Sequence, residues 1–147
     1  MQKWIALIIL GIIISMKSGG NMVNKIAQAI KKFEGWYPGS RSFRNNNPGN
    51  IRWSGSVPSD GSGSGVLRGA IGKDETNHLI YRSESDGWNA LIFQIRIAIT
   101  GKSSVYSPSM NLYQFFEQYA EGNQKSYAET VAYEIGVSPY SKLEELA

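Results

Sequence analysis

Asn24-Lys25-Ile26-Ala27-Gln28-Ala29-Ile30-Lys31-Lys32-Phe33-Glu34-Gly35-Trp36 reads as a short helix that ends on an acid. Ile26, Ile30 and Phe33 recur at the spacing of one buried helical stripe. Glu34 stands where the stripe runs out, and Gly35 is the residue type favoured just past a helix C-terminus. The carboxyl group therefore falls between Phe33 and Trp36, at the lip of the core. Apolar neighbours disfavour its charged form and raise its pKa. The negative end of the helix pushes in the same direction. An acid kept protonated near neutral pH can hand a proton to a glycosidic oxygen.

Arg44-Asn45-Asn46-Asn47-Pro48-Gly49-Asn50-Ile51-Arg52-Trp53 follows. Pro48-Gly49 is a turn pair, so the amides sit on a bend and not along a helix. Asparagine side chains are neutral donors and acceptors, which suits sugar hydroxyls and N-acetyl groups. Arg52 adds a cation and Trp53 a stacking face. On composition alone, the same run also fits a surface loop whose asparagines only support turns.

A helix ending in Glu34-Gly35, followed by Asn46-Asn47-Pro48-Gly49-Asn50-Ile51-Arg52, resembles the lysozyme-like lytic transglycosylases of phages and bacteria. Leu79-Ile80-Tyr81-Arg82-Ser83 is similar to that family's short strand after the loop. Asp86-Gly87-Trp88-Asn89-Ala90-Leu91 is similar to the turn that opens its central helix. Phe116-Glu117-Gln118-Tyr119-Ala120, with Asn123, Ser126-Tyr127 and Ile135-Gly136-Val137, is similar to its C-terminal helical pair. The resemblance runs from Lys25 to Leu146, and the asparagine run is its most specific part. It implies a lysozyme-like fold and cleavage of the β-1,4 bond between N-acetylmuramic acid and N-acetylglucosamine, giving 1,6-anhydro products. It implies Glu34 as the one catalytic acid and base, peptidoglycan glycan strands as the partner, and no cofactor or metal. Asn46, Asn47, Asn50, Arg52, Tyr81 and Tyr119 are the candidates for binding substrate, and loop support is the competing role for each asparagine.

Two other functions compete. A hydrolytic muramidase, of the lysozyme or endolysin kind, wants a second carboxyl about 5–9.5 Å from the first. Asp60, Asp74, Glu75, Glu84 and Asp86 are the candidates. Asp60 lies in a Gly/Ser run, Asp74 and Glu75 fall at a hairpin tip, and Asp86 fits a helix cap, so none reads as a dedicated nucleophile. A non-catalytic wall-binding or virion structural module of the same fold is the other alternative.

The chain has 147 residues, enough for one domain plus an extension. Hydrophobic residues make up 41%, which supports an ordinary core. Cysteine is absent, which excludes disulfides and thiolate metal sites. His78 is the single histidine, so it reads as a partly exposed structural residue and not as a metal ligand. The formal charge of +3 is mild and comes without a basic, aromatic-interleaved cluster, which argues against nucleic acid. Trp4 to Ile14 is unbroken and apolar. It is shorter than the about 20 residues a bilayer span needs and fits a signal-peptide core of about 7–15. Residues 1–21 are therefore expected to be a signal peptide or a membrane anchor, with membrane association through residues 4–16. Residues 22–147 form the domain, facing the periplasm or cell wall.

The expected fold is mainly α (α+β), with about five helices and a small β-hairpin behind the N-terminal hydrophobic segment. Residues 54–65, rich in Gly and Ser, predict a mobile loop over a cleft. Val66–Ala70 and His78–Arg82 are expected to pair as strands. Trp88, Leu91, Ile92, Ile95 and Ile99 predict a buried central helix stopped at Gly101. Leu112, Phe115, Phe116 and Tyr119 predict another helix, after Ser107-Pro108-Ser109. Tyr127, Val131 and Ile135 predict a fourth, with Tyr127 as packing. Ser138-Pro139 predicts a last short helix with Leu143 and Leu146 inward.

Overall fold

The stripe of Ile26 and Ile30 forms helix α1, residues 22–33, at the start of the described chain; the computed structural model describes residues 22–147. Ile26, Ala27 and Ile30 are buried. The helix ends as its sequence dictates. The Glu34 N–H still donates to the Ile30 carbonyl at 2.9 Å, and Gly35 then takes φ 78°. A one-turn helix, α2 (Arg41–Arg44), comes next, with Ser40 as its N-cap accepting from the Phe43 N–H. Four residues carry no readable period, so the sequence pattern does not announce it.

Strands β1 (Ala70–Lys73) and β2 (Leu79–Tyr81) pair antiparallel, with Ala70 opposite Tyr81 and Lys73 opposite Leu79. The first strand lies later than Val66–Ala70, because Val66 and Leu67 are taken into a 3-10 turn, Gly65–Leu67. The register slips between Ala70 and Gly72, leaving Ile71 as a bulge. The Gly/Ser run before this hairpin has a defined path. Ser62 pairs with Arg68 as an isolated bridge, and the Ser62 N–H donates to Asp60 at 3.0 Å.

Helix α3 (Glu84–Thr100) starts at Ser83, whose hydroxyl accepts from the Asp86 N–H, and stops at Gly101 with φ 78°. It buries Leu91, Ile95 and Ile99 but leaves Phe93 exposed, so one face of it meets solvent. Helix α4 (Leu112–Tyr119) opens with a reciprocal Asn111–Gln114 capping box, later than Ser107-Pro108 suggested. Helix α5 (Gln124–Ile135) ends at Gly136 with φ 77°. The last segment is a 3-10 turn, Leu143–Leu146, and not an α-helix begun at Pro139; both leucines are buried.

The described residues thus hold five α-helices and one two-stranded antiparallel sheet. The expected signal peptide or anchor at 1–21 lies outside the described residues. Among the described residues no helix is long and apolar enough to cross a membrane. An aromatic stack joins three elements of the core. The rings of Phe33 and Tyr127 lie 3.9 Å apart, and those of Phe116 and Tyr127 lie 4.3 Å apart.

Helix α3 and the asparagine loop approach closely at Gly87. A Cβ placed on Gly87 would lie 1.8 Å from the Asn46 carbonyl oxygen. Gly87→Ala should therefore destabilise the domain by about 1–3 kcal/mol or more, the usual cost of overpacking against backbone. Urea unfolding measures this. Asn89→Ala, on the exposed face of the same helix, should change stability by no more than about 0.5 kcal/mol.

Candidate active site

The loop after α2 consists of amides with separate duties. Asn45 donates to Asp74 Oδ2 at 2.9 Å. Asn46 takes φ 51° and donates to the Tyr81 carbonyl at 3.1 Å. Asn47 is fully buried. Its Nδ2 donates to the carbonyls of Ile51 (3.0 Å) and Leu79 (2.9 Å), and its Oδ1 accepts from the Ile51 N–H at 2.9 Å. Asn46 and Asn47, expected to bind substrate, are thus occupied with backbone and do not line the cleft. Asn50 differs. At φ 48° it turns back toward α1, and its Nδ2 donates to Glu34 Oε2 at 2.8 Å.

The other carboxylate oxygen of Glu34 is met from α5. The Tyr127 hydroxyl donates to Oε1 at 2.8 Å. Tyr127 was expected to be packing alone. Its ring does stack in the core, but its hydroxyl holds the acid. The helical period reveals that the ring points inward, not what the oxygen at its tip reaches.

Burial is the largest influence on Glu34 and raises its pKa above the ordinary value. Hydrogen bonds from Asn50 and Tyr127 pull it down, the negative charge of Glu121 pushes it up, and His78 opposes that push. The acid opens onto a cleft of about 400 Å³. Arg52, Tyr119 and Tyr127 line this space together with Asn50, and so do Phe33, Arg41 and Gln94. Tyr119 also anchors the loop, with its hydroxyl donating to the Gly49 carbonyl. A Cβ at Gly49 would lie 2.7 Å from that hydroxyl, so only glycine fits there.

The far wall holds an ionic tie. Glu121, from the connection between α4 and α5, places Oε1 2.7 Å from His78 Nε2 and 3.2 Å from Arg52 Nε. His78 is 1% exposed, not partly exposed as expected, and its Nδ1 lies 2.7 Å from the Thr76 hydroxyl. The neighbouring Asp74 belongs to the hairpin and not to the cleft. Burial pushes its pKa up, but the Asn45 amide and the Thr76 and His78 N–H groups outweigh this and hold it well below the usual carboxylate range.

Other candidates fall away from the cleft. Tyr81 is core, 1% exposed, with its hydroxyl donating to the Val66 carbonyl at 2.7 Å. No residue from 54 to 65 lines the cleft, so the Gly/Ser run is not a loop over it. Asp60, Asp74, Glu75, Glu84 and Asp86 are also absent from its walls; Glu84 pairs with Lys31 and Asp86 with Arg82. The second carboxylate on the cleft is Glu121, which the sequence reading passed over. It also passed over Gln94, although a polar residue between Leu91 and Ala98 on a buried face was a usable signal. Among the described residues no cluster of three or more acidic or histidine side chains is arranged to hold a metal ion.

Set against family models, curated proteins and solved structures, the chain matches none of them. The reading of the site therefore rests on its own residues.

Tyr127→Phe removes a donor that favours the charged carboxylate, so the Glu34 pKa should rise further. A ¹³C NMR titration of the Glu34 carboxyl reads this directly; a fall or no change would refute the contact. Stability follows the same sign. A raised folded-state pKa contributes stability below the unfolded value, about 4.3, and that contribution is lost as pH rises through the folded value. Relative to Glu34→Gln, the wild type should lose melting temperature across that window.

Proposed function

We propose that the protein is a peptidoglycan lytic transglycosylase of lysozyme-like fold. It cleaves the β-1,4 bond between N-acetylmuramic acid and N-acetylglucosamine with Glu34 as its single acid and base. One observation carries this reading. The Glu34 carboxyl is kept toward its protonated form by burial, is gripped at both oxygens by Asn50 and Tyr127, and faces a polar cleft.

The chemistry follows from that balance. Protonated Glu34 gives its proton to the glycosidic oxygen, the bond from that oxygen to the muramoyl C1 breaks, and the N-acetylglucosamine side leaves as an alcohol. The positive charge at C1 is shared with the substrate's own N-acetyl oxygen. The Asn50 and Tyr127 donors stabilise the carboxylate that remains. That carboxylate then takes the proton of the muramoyl 6-hydroxyl, whose oxygen closes onto C1 and gives the 1,6-anhydro ring. Glu34 ends as it began. No water enters the products, and each proton transfer contributes roughly 10²–10⁴ in rate.

Glu121 favours a second reading, hydrolysis by a muramidase, because it is another carboxylate on the same cleft. Its tie to His78 and Arg52 gives it a structural duty in the cleft wall, which favours the single-acid route. A wall-binding module without turnover needs no acid of raised pKa. The proposed substrate lies in the cell wall, so this reading includes export, with residues 1–21 as signal or anchor.

Mass spectrometry of the fragments released from purified sacculi tests the proposal. Anhydro-muropeptides, lighter by one water than reducing-end products, are expected. Glu34→Gln should lower their release by about 10²-fold or more while binding to sacculi persists. Reducing ends would establish the hydrolase, and no release by the wild type would remove the enzymatic reading.

A further inference from the structure

Helix α3 meets the cleft with one polar residue in an apolar face. Leu91, Ile95 and Ala98 are buried around Gln94, and packing alone would accept leucine or methionine at that position. Gln94 instead lines the cleft beside Asn50, Tyr106 and Tyr119. Its Oε1 is buried and has no hydrogen-bond partner among the described residues. The same holds for Asn50 Oδ1. Its own amide nitrogen is the donor to Glu34. Two acceptors therefore stand unmet behind the wall of the cleft that holds the acid. Folded proteins keep few such atoms, and each asks for an explanation.

We infer that Gln94 is a specificity-determining substrate residue, whose amide turns about its soft last torsion so that the oxygen accepts a hydrogen bond from a hydroxyl or an N-acetyl N–H of the bound sugar. The class of ligand follows from the chemistry. Uncharged acceptors select a neutral, donor-rich ring such as an N-acetylated hexosamine, and they reject an analogue that leaves them unpaired. This inference rests on the cleft being a glycan site, as proposed above.

The test uses the Glu34→Gln protein, which binds without turnover, and a chitin-type tetrasaccharide of N-acetylglucosamine as the probe. Calorimetric affinity and melting temperature are measured before and after Gln94→Met, which keeps the length of the side chain and removes its polar atoms. Affinity should fall by at least about 10-fold, as for a buried polar site deprived of its partner. The melting temperature should hold or rise, since an unmet acceptor leaves the interior. Gln94→Glu, which keeps an acceptor oxygen there, should restore binding at pH 5. In protein with Glu34 intact, Gln94→Met should raise KM more than it lowers kcat. Unchanged affinity in Gln94→Met would overturn the inference, and so would a large drop in melting temperature, which would make Gln94 a packing residue. Failure of Glu34→Gln alone to bind the tetrasaccharide would instead overturn the glycan reading on which it stands.

Discussion

The Asn47 side chain, shut away from solvent, joins the loop at Ile51 to the strand at Leu79 with all of its bonds directed at backbone. The Leu79 N–H returns a bond to the Ile51 carbonyl at 2.9 Å, and the Trp53 N–H reaches the Asn77 carbonyl at 3.0 Å. The loop is thereby laid along β2 as a partial third strand. A fully satisfied buried network of this kind rigidifies what it connects. Asn50 is three residues from Asn47, so its turn toward Glu34 follows from that attachment. The tight seat of Gly87 under Asn46 adds a wall from α3. Acid, loop and hairpin are positioned by one polar core inside an apolar one.

Much of this was legible. The apolar periods of α1, α3 and α5 were readable because each buries one face, and their ends because Gly35, Gly101 and Gly136 take positive φ where glycine is favoured. The hairpin was legible in kind but not in register, since Val66 and Leu67 look like strand residues and a 3-10 turn claims them. The asparagine run announced polar chemistry without saying where each amide points. Three of the four turn inward to backbone or hairpin, and only Asn50 reaches the cleft. Spacing in sequence cannot separate those outcomes, because the partners lie on a strand about thirty residues away. Tyr127, Glu121 and His78 were hidden for the same reason. Each belongs to a different element, and only packing brings them to one space. Gly/Ser composition suggested mobility at 54–65, but backbone pairing ties that run to Arg68 and Gly69, just ahead of the hairpin.

Three acids near the cleft show how surroundings decide the role of one functional group. Glu34 is withdrawn from water with only two donors, and its pKa rises. Asp74 is withdrawn as well, but several N–H and O–H groups converge on it, and its pKa falls. Glu121 remains largely in solvent, facing Arg52 and His78. Glu34 is met at both oxygens by uncharged donors. Asp74 is held as an anion by its partners. Gln94 and Asn50 complete the picture, since their side-chain amides line the cleft without adding charge.

The stretch from the end of α4 to the start of α5 is fastened across the cleft repeatedly within a few residues. Tyr119 holds the Gly49 carbonyl, Glu121 holds His78 and Arg52, and Tyr127 holds Glu34. An arch pinned at three points has no hinge of its own. The groove beneath it is a fixed gauge and not a jaw, its width set by the lengths of those ties.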